Sequence, residues 1–322
     1  MIEHHELKRR SRHDPHTGED RDHTHNGADS HAPANFSAAF AIGTALNAMF
    51  VVAEVIYGLS AHSLALLADA GHNLGDVFGL LMAWGASALA SSIPTEKHTY
   101  GFRSTSILAA LLNAIILLLT TGAIAWEAVR RFHEPSTVNG QIVIWIAAAG
   151  ILVNGITALL FMSGRKGDLN IRAAFLHMAG DAAIALGVVG AGFLILWTGM
   201  HWIDPVTSLA ISAFIVWGTW SLMHDSLRLA LHGVPPGIDL VAVREFLRSI
   251  PGIVEVHDLH IWGMSTTETA LTAHLVRKAS SGDDALLAHA ASELHERFEI
   301  GHATLQLESP SHQCGLAPAD KV

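Results

Sequence analysis

Two short stretches of this chain carry the same pair of metal-seeking side chains at the same spacing. Ala68-Asp69-Ala70-Gly71-His72-Asn73-Leu74-Gly75-Asp76 and His177-Met178-Ala179-Gly180-Asp181 each contain His-x-x-x-Asp. A helix turns once in about 3.6 residues, so positions i and i+4 stack on one face and each stretch presents an imidazole beside a carboxylate. Two such helices facing one another make a cage of four ligands, His72, Asp76, His177 and Asp181. Two neutral imidazoles and two ionised carboxylates suit a tetrahedral divalent ion of borderline softness, chiefly Zn²⁺, whose charge cancels that of the acids. When the metal is absent, proton uptake relieves the same excess charge. Metal and protons are therefore natural competitors for the site, and their exchange across a membrane is physically reasonable.

Both stretches sit in apolar sequence, where an ionised aspartate near a bilayer centre costs roughly 2.5–3.5 kcal/mol. Plain hydrogen bonding between helices is the bland alternative for a lone histidine, but the repeat of one spacing in two separate runs favours a metal site. Asp69 and Asn73 continue the face of His72. They are expected behind the ligands or along the pathway, with an interhelical hydrogen bond as the other reading of Asp69. Asn47, Glu54, Asn113, Asn154 and Asp204 read as helix glue or vestibule lining, Asp204 as a helix cap in Trp202-Ile203-Asp204-Pro205.

The elements that must position these groups are transmembrane. Of the 322 residues half are apolar and only 15% are charged, against about 25% in a soluble globular domain. Apolar runs recur near 36–59, 64–90, 104–126, 141–163, 173–198 and 203–223, each about the 20 residues that cross about 30 Å of hydrocarbon. Runs this long and unalternating predict six transmembrane helices rather than barrel strands. Polar or proline-bearing punctuation separates them at Ser60–Ser63, Ser91–Lys97, Glu134–Gly140 and Ser163–Asp168. Lys97, Arg103, Arg165, Lys166, Arg172 and Arg228 fall on the side of the N-terminal tail, which carries five more basic residues, whereas the opposite loops hold only Arg130 and Arg131. This asymmetry predicts both termini in the cytoplasm.

Residues 1–33 are polar and hold seven histidines, His4, His5, His13, His16, His23, His25 and His31. They are expected to form a mobile tail that collects metal at the cytoplasmic entrance, or else merely stays solvated. No apolar stretch follows the basic Lys8–Arg12 cluster closely enough for a signal peptide. The membrane domain is assigned to 34–232, and Val234-Pro235-Pro236-Gly237 reads as a hinge into a soluble domain over 233–310, with a flexible tail at 311–322. Asp239 caps a helix to about Ile250, Ile253–Trp262 and Thr267–Val276 alternate as strands around a turn, a helix runs from Asp283 or Asp284 to Phe298, and Ala303–Glu308 is a last strand. The predicted order is αββαβ. So small a domain gains from a partner copy or a bound metal.

The residues from Ser63 to Asp76, then Tyr100-Gly101-Phe102-Arg103, His177-Met178-Ala179-Gly180-Asp181 and Val256-His257-Asp258-Leu259-His260-Ile261-Trp262, resemble the cation diffusion facilitator family in its zinc and cobalt-zinc-cadmium resistance branch. The likeness runs from about Phe36 to Glu308. It implies a homodimeric, proton-coupled exporter of Zn²⁺, with Cd²⁺ and Co²⁺ as alternative cargoes, in a prokaryotic plasma membrane, built from six helices and a cytoplasmic ferredoxin-like α+β domain. It carries the transport role onto His72, Asp76, His177 and Asp181. It also implies a cytoplasmic zinc site with contributions from His257, His274 and Glu308; His260, His302, His312 and Cys314 stand near in sequence as further donors. His257 and His260 differ by three, so on a regular strand they would point to opposite faces. Some members place two histidines in the second cytoplasmic loop, but here His98 stands alone and Phe102 takes the other position. His62, His201, His224 and His232 fall at span ends, where an interfacial imidazole needs no special role.

Other classes of function fit less well. A net charge of -10 opposes nucleic-acid binding through phosphate neutralisation, and a lone Cys314 excludes an intrachain disulfide or Cys-rich zinc finger. The chain has no Gly-x-x-x-x-Gly-Lys-Ser/Thr loop for ATP. An intramembrane metalloenzyme would want His-Glu-x-x-His and an open coordination position, which four protein ligands do not leave. A sensor with an inert anchor would not need ionisable groups deep in two spans.

Overall fold

A computed structural model describes residues 34–90, 92–134, 136–162, 169–278, 283–312 and 314–316. The histidine-rich tail, the Ser163–Asp168 link and the last six residues lie outside them, as do Arg165 and Lys166. Six long helices come first: α1 (Ala34–Ser60), α2 (Leu64–Ala90), α3 (Thr105–Arg130), α4 (Gly140–Met162), α5 (Leu169–Thr198) and α6 (Ile203–Ala230). Each covers one predicted apolar run, because a helix alone satisfies every backbone amide within the segment. Among the described residues five of the six are long and apolar enough to cross a membrane. The exception is α2, where Asp69, His72, Asn73 and Asp76 replace apolar side chains. It nevertheless packs against α1, α3 and α6 within the same bundle.

Close approach between helices rests on small residues. A Cβ on Gly140 would lie 2.9 Å from the carbonyl oxygen of Gly192, so α4 and α5 meet backbone to backbone at that end. Asp204, the second residue of α6, has an unforeseen role. It caps α2 rather than its own helix, accepting hydrogen bonds from the Ser63 hydroxyl (2.5 Å) and from the amides of Leu64 (2.7 Å) and Ala65 (3.3 Å). A carboxylate at a helix N-terminus satisfies otherwise orphaned amides and meets the positive end of the helix dipole. Arg131, just past α3, lies 3.7 Å from the same carboxylate and donates to the His62 carbonyl, which ties the ends of α2, α3 and α6 together.

The soluble part follows as α7 (Leu240–Ser249), β1 (Ile253–Gly263), β2 (Thr269–Arg277), α8 (Asp283–Phe298) and β3 (Ile300–Glu308). This is the predicted αββαβ order. Asp239 caps α7 by accepting from the amides of Val241 (2.8 Å) and Ala242 (3.3 Å). The sheet runs β1-β2-β3, antiparallel between the first pair and parallel across the α8 crossover. Val243, Leu247, Leu271, Leu275, Leu294 and Ile300 form its core. β2 starts two residues later than expected because the Ser265 hydroxyl takes the amides of Thr267 (3.2 Å) and Glu268 (2.9 Å) for the turn. β3 starts earlier, since Glu299 at φ +57° closes α8 and turns the chain straight into the strand.

The hairpin docks on the loop between α2 and α3. Arg103 pairs with Glu268, the Ser104 hydroxyl donates to the Met264 carbonyl (3.3 Å), and the Thr266 amide donates to the Ser106 hydroxyl (3.1 Å).

Candidate metal centres

The two His-x-x-x-Asp stretches face one another across α2 and α5. His72 and Asp76 stand one turn apart on α2, their Nε2 and Oδ2 3.8 Å apart, and His177 and Asp181 repeat the arrangement on α5 at 3.8 Å. Across the helices, His72 Nε2 lies 3.4 Å from Asp181 Oδ1 and His177 Nε2 lies 3.2 Å from Asp76 Oδ2. Each imidazole therefore faces one carboxylate of its own helix and one of the other. The two rings stand edge to face at 6.0 Å. Ligand atoms of His72, Asp76 and Asp181 all fall within 4.8 Å of one another.

The cage is unsatisfied as it stands. Oδ2 of Asp76 and of Asp181 are buried without a hydrogen-bond partner among the described residues. Buried carboxylate oxygens are costly unless something positive meets them, and a divalent ion is the compact way to do so. Contraction of these side chains by about an ångström would reach metal-ligand distances near 2.0–2.2 Å. Asp69 is buried one turn before His72, and no ion pair or hydrogen bond joins it to the four among the described residues.

A second cluster lies in the soluble domain. Ligand atoms of His257, His274, Glu308 and Cys314 fall within 4.8 Å of one another. His257 on β1 faces His274 on β2, and Glu308 ends β3, so neighbouring strands bring them to one edge of the sheet. His257 Nε2 is 3.3 Å from Glu308 Oε2, and His274 Nδ1 is 3.0 Å from Glu308 Oε1 and 3.4 Å from Cys314 Sγ. Among the described residues neither nitrogen of His257 nor Oε2 of Glu308 has a hydrogen-bond partner. Burial alone would raise the Glu308 carboxyl; hydrogen bonds from Cys314 and Gln306 and the imidazoles of His274 and His257 outweigh it and hold the group below the usual carboxylate range. This donor set of two nitrogens, one thiol sulfur and one carboxylate fits Zn²⁺.

One expectation is corrected here. His257 and His260 share a face, because β1 bulges between them: His257 pairs with His274 and His260 with Thr272, so three steps on β1 match two on β2. Asp258 occupies the bulge at φ +49°, a conformation that aspartate tolerates better than most residues. It is the functional candidate that the sequence reading passed over. Its Oδ1 lies 2.8 Å from His260 Nε2 and its Oδ2 3.4 Å from His274 Nε2, so it turns the other nitrogen of His274 toward Glu308 and Cys314. A carboxylate behind a ligating imidazole fixes ring orientation and raises its basicity. The signal available in sequence was an acid enclosed by His257 and His260.

His302 and His312 stand apart from this cluster. His302, at the opposite end of β3, meets Tyr100 edge to face at 5.6 Å and lines a cleft of about 590 Å³ with Arg103, Glu268, His295 and Glu299. His312 is exposed beyond the last strand. His98 packs against Phe102 at 4.6 Å between ring centroids, and among the described residues no second donor joins it.

Residues 40–229 match the cation efflux transmembrane domain, and residues 235–310 match the cytoplasmic domain of cation efflux proteins. The chain is 37% identical over 296 residues to the zinc transporter ZitB of Escherichia coli, covering 90% of this chain and 94% of that protein. It is 32% identical over 287 residues to the metal cation efflux system protein CzcD of Cupriavidus metallidurans, covering 88% and 91%. A cadmium, cobalt and zinc/H(+)-K(+) antiporter of Bacillus subtilis is 34% identical over 268 residues, covering 82% and 86%.

Proposed function

This chain belongs to the cation efflux family, one of metal transporters rather than enzymes, and on that premise we propose that it exports Zn²⁺ from the cytoplasm in exchange for protons. The observation that carries the reading is the convergence of His72, Asp76, His177 and Asp181 from α2 and α5 on one point, with Asp181 buried and His177 the most exposed of the four. Zn²⁺ enters from the cytoplasmic side, where two carboxylates neutralise it and two imidazoles supply softer ligands. The bundle then opens outward by rocking of its helices about the site, and protons arriving from outside compete for the same imidazoles and acids and release the ion. Cd²⁺ and Co²⁺ are alternative cargoes, since the ligand types accept them as well.

In this reading all six long helices cross the plasma membrane of a prokaryote, α2 included. Its polar groups face the interior of the bundle and meet cargo there instead of lipid. Both termini are cytoplasmic, the αββαβ domain is a ferredoxin-like relative, and pairing of that domain makes the protein a homodimer. His257, His274, Glu308 and Cys314 hold a resident zinc ion there, with His274 oriented by Asp258. Such an ion crosslinks β1, β2, β3 and the segment after them, and so stabilises a domain with a small core.

Zinc flux into sealed proteoliposomes, recorded together with proton counterflow, tests the proposal. Asp76→Ala and Asp181→Ala, each folded by gel filtration, are expected to abolish both fluxes. Undiminished exchange in the two variants would remove the cage as the transport site.

A further inference from the structure

Behind the metal cage lies a second set of polar groups that the exchange described above does not use. Glu54, six residues before the end of α1, has no exposed surface; Asp69 and Asn73 on α2 are 1% and 0% exposed. The Asn73 amide donates to Glu54 Oε2 at 3.1 Å. The remaining oxygens, Glu54 Oε1, Asp69 Oδ1 and Oδ2, and Asn73 Oδ1, have no hydrogen-bond partner among the described residues. Yet the Glu54 and Asp69 carboxyls lie within hydrogen-bonding reach of each other.

Two adjacent carboxylates cannot both stay ionised in such a place. A basic neighbour would resolve the conflict, and among the described side chains the surrounding helices do not offer one. Over its described side chains α1 adds only Tyr57, and α4 carries no ionisable residue at all. α2 contributes His72 and Asp76, and α5 His177 and Asp181, whose imidazoles are turned to the cage acids. On α3 and α6 the ionisable groups Glu127, Arg130 and Asp204 belong to one end of the bundle, and His224, Asp225 and Arg228 to the other. What fits between two acid oxygens at hydrogen-bonding distance is a proton. It converts one carboxylate into a donor and supplies the missing partner for the other.

We propose that Glu54 and Asp69, steadied by Asn73, share a proton and form a second proton-binding site coupled to the metal cage. The inference rests on the zinc-for-proton reading and deepens it by placing one of the exchanged protons outside the metal ligands. The coupling is electrostatic. Asp69 precedes His72 by three residues, about 4.5 Å along the helix axis, and no hydrogen bond or ion pair joins either acid to the four cage residues among those described. Arrival of two positive charges at the cage favours loss of the shared proton to solvent, and departure of the metal favours its return from solvent. In the first step the carboxyl O–H bond breaks as the proton bonds to water, and in the second the proton leaves water and the carboxyl O–H bond forms again.

The test is the number of protons released per zinc bound, measured with a pH indicator in weakly buffered solution on the detergent-purified full chain near pH 7. Protons displaced from the cytoplasmic ligands are common to all variants and cancel in the difference. Glu54→Gln keeps the shape and an acceptor oxygen, and is expected to bind zinc while releasing about one proton fewer per ion. Asp69→Asn is expected to show the same deficit, and serves also if Glu54→Gln does not fold. A release count identical to the natural chain in the folded variants overturns the proposal, as does replacement of the proton by an alkali ion, seen as zinc affinity that depends on Na⁺ or K⁺ at fixed pH. Failure of the natural chain itself to exchange zinc for protons in vesicles would instead sink the transport reading.

Discussion

Asp181→Asn isolates one ligand of the cage with almost no change of shape. Asp181 is 2% exposed, with Oδ1 3.4 Å from His72 Nε2 and Oδ2 3.8 Å from His177 Nε2, so the new amide occupies the same space. Four-ligand zinc sites bind with about 10–16 kcal/mol, so one ligand is worth roughly 2.5–4 kcal/mol, or about 10²–10³ in the dissociation constant. Loss of one negative charge from a site built to cancel 2+ acts in the same direction. The assay is the initial rate of zinc uptake into proteoliposomes holding a zinc-sensitive dye, taken over a wide zinc range. The half-saturating concentration is expected to rise by at least about 10², which at ordinary zinc levels reads as loss of transport. Zinc binding by the cytoplasmic cluster, on separate side chains, reports that the variant is folded. A half-saturating concentration and maximal rate within a few-fold of the natural chain would refute the assignment of Asp181 as a ligand.

Glu308→Gln removes the one carboxylate of the cytoplasmic cluster, and competition with a chromophoric chelator is expected to show its zinc affinity falling by about 10²; an unchanged affinity would exclude the carboxylate as a ligand. Asp204→Ala orphans the Leu64 and Ala65 amides and leaves Arg131 with Glu127 as its remaining acid. The loss of about 2–4 kcal/mol, chiefly of the cap hydrogen bonds, should lower the apparent melting temperature in detergent by roughly 10 °C, with Asp204→Asn in between. An unaltered melting curve would mean that the clamp contributes nothing. Deleting residues 1–33 is expected to raise the half-saturating zinc concentration while leaving maximal flux intact, and complete loss of transport by a folded truncation would reject a merely collecting tail.

The helices were legible because lipid imposes a length on any span, and the apolar runs reproduce α1 through α6 within a few residues. The stacking of His72 with Asp76 and of His177 with Asp181 was legible for a related reason: a spacing of four has one geometric meaning on a helix. Strands carry less of that certainty. Alternation placed His257 and His260 on opposite faces, but one extra residue at Asp258 reversed the relation, and nothing in a period of two announces a bulge. Asp204 was recognisable as a cap, yet its helix is α2, 140 positions away in the chain from Leu64, which only tertiary packing reveals. Glu54 looked like helix glue for the same reason, because its partners Asp69 and Asn73 come from the next span.

The central claim is that zinc binds between α2 and α5. Anomalous diffraction from zinc-soaked crystals of the full chain, collected on both sides of the zinc edge, tests it without reference to transport. The account predicts a peak about 2.0–2.2 Å from a nitrogen of His72 and of His177 and an oxygen of Asp76 and of Asp181. A zinc peak at the cytoplasmic cluster with none between α2 and α5 would contradict it.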